Sequence, residues 1–151
     1  MSKTQLKNRA KWLTALKSGE YEQTINGVLK DPYTNSYCCL GVACVALGIP
    51  AREHDDHVFF RGETELAPEE VVKMLGLNNN GGALKNSKLD YLWADIDAGV
   101  VDYNSLSEDK QKHLEMYKRG TLTEANDSGE YSFKDIAEFI EAYPEAVFKD
   151  S

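Results

Sequence analysis

The chain lacks any apolar stretch long enough to enter a bilayer. Its longest apolar run, Tyr37 to Leu47, falls well short of the roughly 20 residues a helical span requires. Positive charge is scarce: 17 Lys and Arg stand against 25 Asp and Glu, a net charge of −8. The Lys and Arg are scattered rather than gathered into the stripe that a phosphate backbone demands, which argues against generic nucleic-acid binding. Cysteine is limited to three residues, all between positions 38 and 44. An odd, clustered set is a poor disulfide framework, so a reducing, cytoplasmic setting is expected. The opening "MSKTQLKNRAKWLTALKSG" has no continuous apolar core of the kind a secretory signal carries. No GxGxxG, P-loop or HExxH pattern occurs, the histidines show no triad spacing with a serine, and no cofactor is expected. Only four prolines interrupt the chain, with no repeat and no low-complexity linker, so residues 1–151 read as one domain.

What is present is a succession of helix and turn signals. Leu6, Ala10, Leu13 and Leu16 recur at helical spacing over about Lys3 to Lys17, and Gly19 supplies the stop. Asn26-Gly27 lies between two short runs rich in β-formers and predicts a hairpin. "DPYTNS" is a turn cluster, after which Asn35 or Ser36 caps a helix over residues 37–47. "AREHDDHVFFRGETEL" predicts two strands around Asp55-Asp56. "APEEVVKMLG" is a compact helix with Pro68, Glu69 and Glu70 at its start and Gly76 at its end. Residues 77–100 look like the least regular segment. Ser107 caps a helix with Glu108–Lys112 and Glu115–Arg119 pairs at i,i+4. Ser132 and Asp135 resemble a capping box for a last helix with Phe133, Ile136, Ala137 and Ile140 on one face. The expected fold class is α+β: one compact domain of about five helices and short antiparallel hairpins around a buried central helix, residues 37–47.

That central helix contains Cys38, Cys39 and Cys44, and three chemistries compete for it. A metal site is disfavoured because neither spacing, six or five residues, aligns two thiolates on one helical face. His54 and His57, three apart on one extended strand, would face opposite ways, so no metal site is expected. A nucleophile reading places Cys38 or Cys39 at a helix amino terminus with His57 as its base. The reading that accounts for every residue is burial, since Leu40, Val42, Val45 and Leu47 make the helix apolar all round and free cysteine packs as a small hydrophobe.

A second candidate is the polar stretch "GTLTEANDSGEYSF". Thr123, Asn126 and Asp127 offer hydrogen-bonding groups, and together with Tyr37 they form the expected ligand-binding set. Donors at the helix opening near Phe133 would receive an anion. Tyr33, Tyr37, Tyr91 and Trp93 fall at turns and irregular segments, where aromatic side chains mark recognition surfaces or pin loops down.

Read together, "WLTALKSGEYEQTINGVL", "YCCLGVAC", "PEEVVKMLGL" and "LTEANDSGEYSFKDIAEFIE" resemble a family of small uncharacterised proteins of tailed phages and prophages. The likeness spans nearly the whole chain and is loosest over residues 78–118. This chain departs from the family at Val45, where members often carry Asp. The resemblance implies action in the cytosol of an infected bacterium and brings no established activity with it. The leading functional expectation is a non-enzymatic accessory protein, of the host-takeover or anti-defence kind. It would bind a host protein or a small, nucleotide-like signalling ligand, and self-association is compatible with its apolar surplus. The alternatives are a cysteine hydrolase using Cys38 or Cys39 with His57, and a virion or assembly component.

Overall fold

The computed structural model describes residues 2–149. Among them are eight α-helices, five short strands and one 3-10 turn at Tyr103–Ser105. In chain order these are α1 (Lys3–Lys17), β1 (Glu22–Gln23), β2 (Lys30–Asp31), β3 (Ser36–Tyr37), α2 (Cys39–Ala46), β4 (Ala51–His54), β5 (His57–Phe60), α3 (Glu69–Leu75), α4 (Leu89–Asp97), α5 (Glu108–Lys118), α6 (Leu122–Asp127), α7 (Phe133–Ala142) and α8 (Pro144–Val147). The α+β class holds, with more helices than the spacing of the sequence suggests.

Helix α2 is the centre of the core. Cys39 through Cys44 are all buried, and α1 and α6 pack against it. Trp12 of α1 is fully buried and its indole Nε1 donates to the Cys39 carbonyl at 2.9 Å. This gives the ring a partner for its one polar atom while its area stays in the core. The helix begins two residues later than expected. Ser36 and Tyr37 are drawn into β3, and Cys38 is the cap, its Sγ accepting the Gly41 N–H. Neither Asn35 nor Ser36 caps it.

Asn26-Gly27 does not turn a hairpin. Strands β1 and β2 flank it but do not pair with each other; each pairs with β3, in the order β1-β3-β2, the first parallel and the second antiparallel. Two-residue strands carry too little local pairing to fix a register, so the later segment Ser36–Tyr37 takes the central position. The hairpin expected around Asp55-Asp56 does form. β4 and β5 pair antiparallel with His54 opposite His57, and Asp55 and Asp56 both have positive φ, 50° and 63°. Two positive-φ residues in a two-residue loop match the twist of the flanking strands, and aspartate tolerates that region better than most residues. Directly opposed partners share a face of the ladder, so His54 and His57 do not point in opposite directions as their sequence separation suggests.

The punctuated helices form where expected. Glu69–Leu75 ends at Gly76 in the left-handed region. Its last carbonyls are received by α1: Gln5 Nε2 donates to Lys73, Asn8 Nδ2 to Met74 and Arg9 Nε to Leu75, at 3.1, 3.0 and 2.7 Å. Three side chains of one helix thus satisfy three consecutive carbonyls that a helix end leaves open. Ser107 caps α5, but Lys112 reaches Asp135 and Arg119 reaches Glu130 instead of the expected partners on their own helix. Ser132 and Asp135 make a complete capping box on α7. Their reciprocal bonds place a carboxylate of the chain itself at the helix opening where an anion was expected. Two helices arise in segments read as irregular or polar loop, α4 and α6.

Candidate functional site

Of the expected ligand residues Tyr37, Thr123, Asn126 and Asp127, only Asn126 and Asp127 are joined directly, by a hydrogen bond, while Thr123 and Tyr37 each turn to other partners. Asn126 is fully buried. Its Oδ1 accepts the Cys39 N–H at 3.2 Å and Gln23 Nε2 at 2.9 Å, while its Nδ2 donates to the Thr24 carbonyl at 2.9 Å and to Asp127 Oδ1 at 3.1 Å. All four hydrogen-bonding positions of the amide are used. The side chain therefore ties α6 to β1 and supplies the first turn of α2 with an acceptor. Thr123 Oγ1 donates to the Gly81 carbonyl at 2.8 Å. Tyr37 packs edge-on against Tyr21 at 5.4 Å, with the Lys30 ammonium 5.3 Å from its ring centre. Asp127 is half-buried, and burial raises its pKa against the lowering effect of hydrogen bonds from Asn126 and the Gly27 N–H. The cluster is an internal clasp, and Asn126 has no group left to offer a ligand.

The three cysteines are free and buried. Burial pushes Cys38 up to about 11 and Cys44 up to about 12. Cys39 lies well above the ordinary thiol value, through burial first and then the neighbouring Cys38 and Asp127. Each is a protonated thiol at neutral pH, the opposite of what a nucleophile requires. His57 is exposed, and its Nδ1 bonds the Asp55 carbonyl at 2.7 Å within its own hairpin. A carbonyl only accepts, so this contact sets the proton on Nδ1 and leaves Nε2 as the acceptor of the neutral ring. Among the described residues no group of three or more His, Cys, Asp and Glu is placed to hold a metal ion. Nor is any helix among them long and apolar enough to cross a membrane.

The outward-facing concentration of chemical groups lies elsewhere, between the 31–35 turn and the Asp55-Asp56 hairpin. A cleft of about 310 Å³ is lined by Asn26, Lys30, Asp31, Tyr33, Asp56, His57 and Thr64, with Val58 also on its wall. An adjoining hollow of about 340 Å³ shares Tyr33, Asp56 and His57 and adds Glu53, His54 and Asp55. Asp31 organises the first wall. Its Oδ1 accepts the Tyr33 and Thr34 N–H groups at 2.9 and 3.4 Å, and its Oδ2 accepts Asn26 Nδ2 at 2.8 Å. The Tyr33 N–H, together with these other donors, outweighs partial desolvation and holds the carboxyl below its ordinary value. The Asx turn leaves Tyr33 at the rim, 76% exposed. Desolvation and then the neighbouring Asp56 carboxylate raise its phenol above the ordinary value. On the opposite wall His54 Nε2 lies 3.1 Å from Asp55 Oδ2.

Sequence reasoning found both walls separately, as a turn cluster and as a hairpin, without bringing them together. The apposition of the two walls is tertiary, carried by contacts between β2 and β5.

Comparison with known proteins adds one finding: a family model described as Domain of unknown function (DUF8296) matches residues 3–144. No curated protein and no solved structure matches the chain.

Proposed function

We propose that this chain, which belongs to the DUF8296 family, acts by non-covalent binding through the cleft between the Tyr33 turn and the Asp55-Asp56 hairpin. The observation that carries the reading is the contrast between two places. The thiols, the strongest potential nucleophiles, are buried and protonated, while an exposed tyrosine, two histidines and four carboxylates line two adjoining concavities that share Tyr33, Asp56 and His57. A tyrosine side chain held at a rim by its own backbone bonds contributes large contact area at little entropic cost.

Charge narrows the partner. Asp31, Glu53, Asp55 and Asp56 outnumber Lys30 along the cleft, and the whole chain carries a net charge of −8. A phosphate-rich ligand is repelled there, whereas a protein segment presenting Lys or Arg is attracted and steered. Of the two partners expected from sequence, a host protein with a basic segment fits these walls better than a nucleotide. The resemblance to tailed-phage and prophage proteins supports the same reading, of an accessory protein acting in the bacterial cytosol.

The test is affinity capture from a host lysate with wild type and with Tyr33→Ala and Asp56→Asn, alongside a thermal-shift screen of nucleotides and cyclic nucleotides. The reading expects a captured protein that is lost with both variants, each still folded, and no nucleotide shift. Capture unaffected by both substitutions, or nucleotide stabilisation that they leave unchanged, places function outside the cleft.

A further inference from the structure

We propose that the basic segment bound at the cleft enters as an extended strand, pairing with the open edge of β4 and making the β4–β5 ladder three-stranded. This rests on the cleft reading for the charge of the partner; β4 adds the backbone form in which that partner is held.

Register shows which main-chain groups are turned outward. The Phe60 N–H donates to the Glu63 carbonyl at 2.9 Å, and the Phe60 carbonyl accepts the Glu63 N–H at 3.0 Å. Both groups of Phe60 thus face away from β4. Its directly opposed residue is Ala51, and opposed residues of an antiparallel pair turn their N–H and C=O groups either toward each other or both away. Ala51 therefore faces away from β5, as does Glu53 two residues on, while Arg52 and His54 bond inward to Phe59 and His57. Among the described residues no further strand lies beside β4, and all 4 of its residues are exposed. The far side of the ladder differs, because β5 packs against β2 and its last residue is engaged by Glu63. The outward N–H and C=O groups of Ala51 and Glu53 are a template that another extended chain satisfies.

Charge decides what kind of chain. Glu53 lies on the template, and Asp55 and Asp56 continue it into the hollow that Tyr33 shares. A Lys or Arg placed opposite Glu53 gains a cross-strand partner. Arg52 projects from the other face of the strand, so the next position of the added chain is uncharged. Alternating basic and apolar residues meet both requirements. A second copy of β4 does not. Only outward-facing residues can be bonded across the new seam. A two-fold pairing centred on Arg52 sets guanidinium against guanidinium, and one centred on Glu53 sets carboxylate against carboxylate. One centred on Ala51 draws Pro50, which has no N–H, into the ladder.

A ten-residue peptide of alternating Lys and Val is the probe, beside the same sequence carrying a backbone N-methyl group at each lysine. Anisotropy of the labelled peptide gives affinity, and NMR of the full chain gives amide exchange. The Lys–Val peptide is expected to bind and to slow exchange at the Ala51 and Glu53 N–H groups. N-methylation keeps every charge and should weaken binding by about tenfold or more, the worth of one to two lost hydrogen bonds. Ala51→Pro removes an outward N–H without touching the bonds to β5 and should weaken binding by about fivefold, whereas Ala51→Val keeps the N–H and the affinity. Circular dichroism confirms that each variant is folded. Equal affinity for the methylated peptide, or no protection at Ala51 and Glu53, overturns strand addition. Should the peptide then still be lost with Asp56→Asn, the cleft reading stands and only the strand form fails. Binding that ignores both Ala51→Pro and Asp56→Asn overturns both. Absence of any binding overturns the strand proposal and leaves the cleft to the lysate capture.

Discussion

A β-carbon placed on Gly41 would sit 1.8 Å from the carbonyl oxygen of Leu29 and 2.7 Å from its carbonyl carbon. The same carbonyl accepts the Cys38 N–H at 3.2 Å, so the approach of the 29–31 segment to α2 is fixed by backbone on both sides. Elsewhere in a helix, replacing glycine by alanine gains up to about 1 kcal/mol through propensity. Here the sign reverses. Gly41→Ala is expected to cost about 3 kcal/mol or more, because neither backbone can yield without breaking the β2–β3 pairing. Chemical denaturation of wild type and variant measures it.

Asn126→Leu removes the acceptor of the Cys39 N–H and the donor to the Thr24 carbonyl in a fully buried position. The expected loss is about 3 kcal/mol, the penalty for orphaning buried polar groups. Asn126→Asp keeps an acceptor but loses the donor and sets a second carboxylate beside Asp127. It is expected to be at least as damaging at neutral pH and to recover partly in acid.

These two sites also show what the sequence could and could not reveal. Local helix punctuation was legible: Ser132 with Asp135, Ser107, and Pro68 to Gly76 all act as their local spacing indicates. The apolar run around the cysteines likewise announced a buried helix. Helix α6 had a readable signal in Thr121 and Glu124, a cap residue and an acidic residue three positions on, but the surrounding Asn, Asp, Ser and Gly residues masked it. In α4, Leu89, Leu92, Trp93 and Ile96 have helical spacing, obscured by the Asn-Gly run before them. The hairpin expected at Asn26-Gly27 failed because its flanking strands found a common partner in β3. That pairing, like the role of Asn126 and the meeting of the Tyr33 turn with the Asp55-Asp56 hairpin, depends on distant segments and leaves no local trace.

The thiols should be silent in the folded protein. With Cys38 pushed up to about 11, Cys44 up to about 12 and all three side chains buried, iodoacetamide is expected to label them only at the rate of unfolding. Labelling in denaturant should reach all three. Rapid modification of Cys38 or Cys39 by the native protein near neutral pH would favour the hydrolase reading.

His113 lies edge-on to Phe139 and Tyr143 at 5.8 and 5.5 Å, and burial lowers its pKa from the ordinary 6.5. A histidine depressed in the native state takes its proton first in the unfolded state. Its contribution to stability is therefore complete above the ordinary histidine value and declines as pH falls through it toward the folded value. Asp127, raised by burial, acts in the opposite sense at lower pH: stability rises as that carboxyl takes up its proton. Urea midpoints should fall between neutrality and about pH 5 in wild type, and His113→Phe should flatten that fall. Asp127→Asn should leave the histidine slope in place and steepen the loss in stronger acid, where Asp31 and Asp135, held below their ordinary values, lose their contribution and Asp127 no longer offsets it.

Hydrogen–deuterium exchange on the complex captured from lysate addresses the site of action directly. The account predicts slowed exchange at residues 30–36 and 53–58, the two walls of the cleft, on binding of the partner, with the α2 amides already protected in the free protein. Unchanged exchange at both walls, with protection appearing instead at another surface, would contradict it.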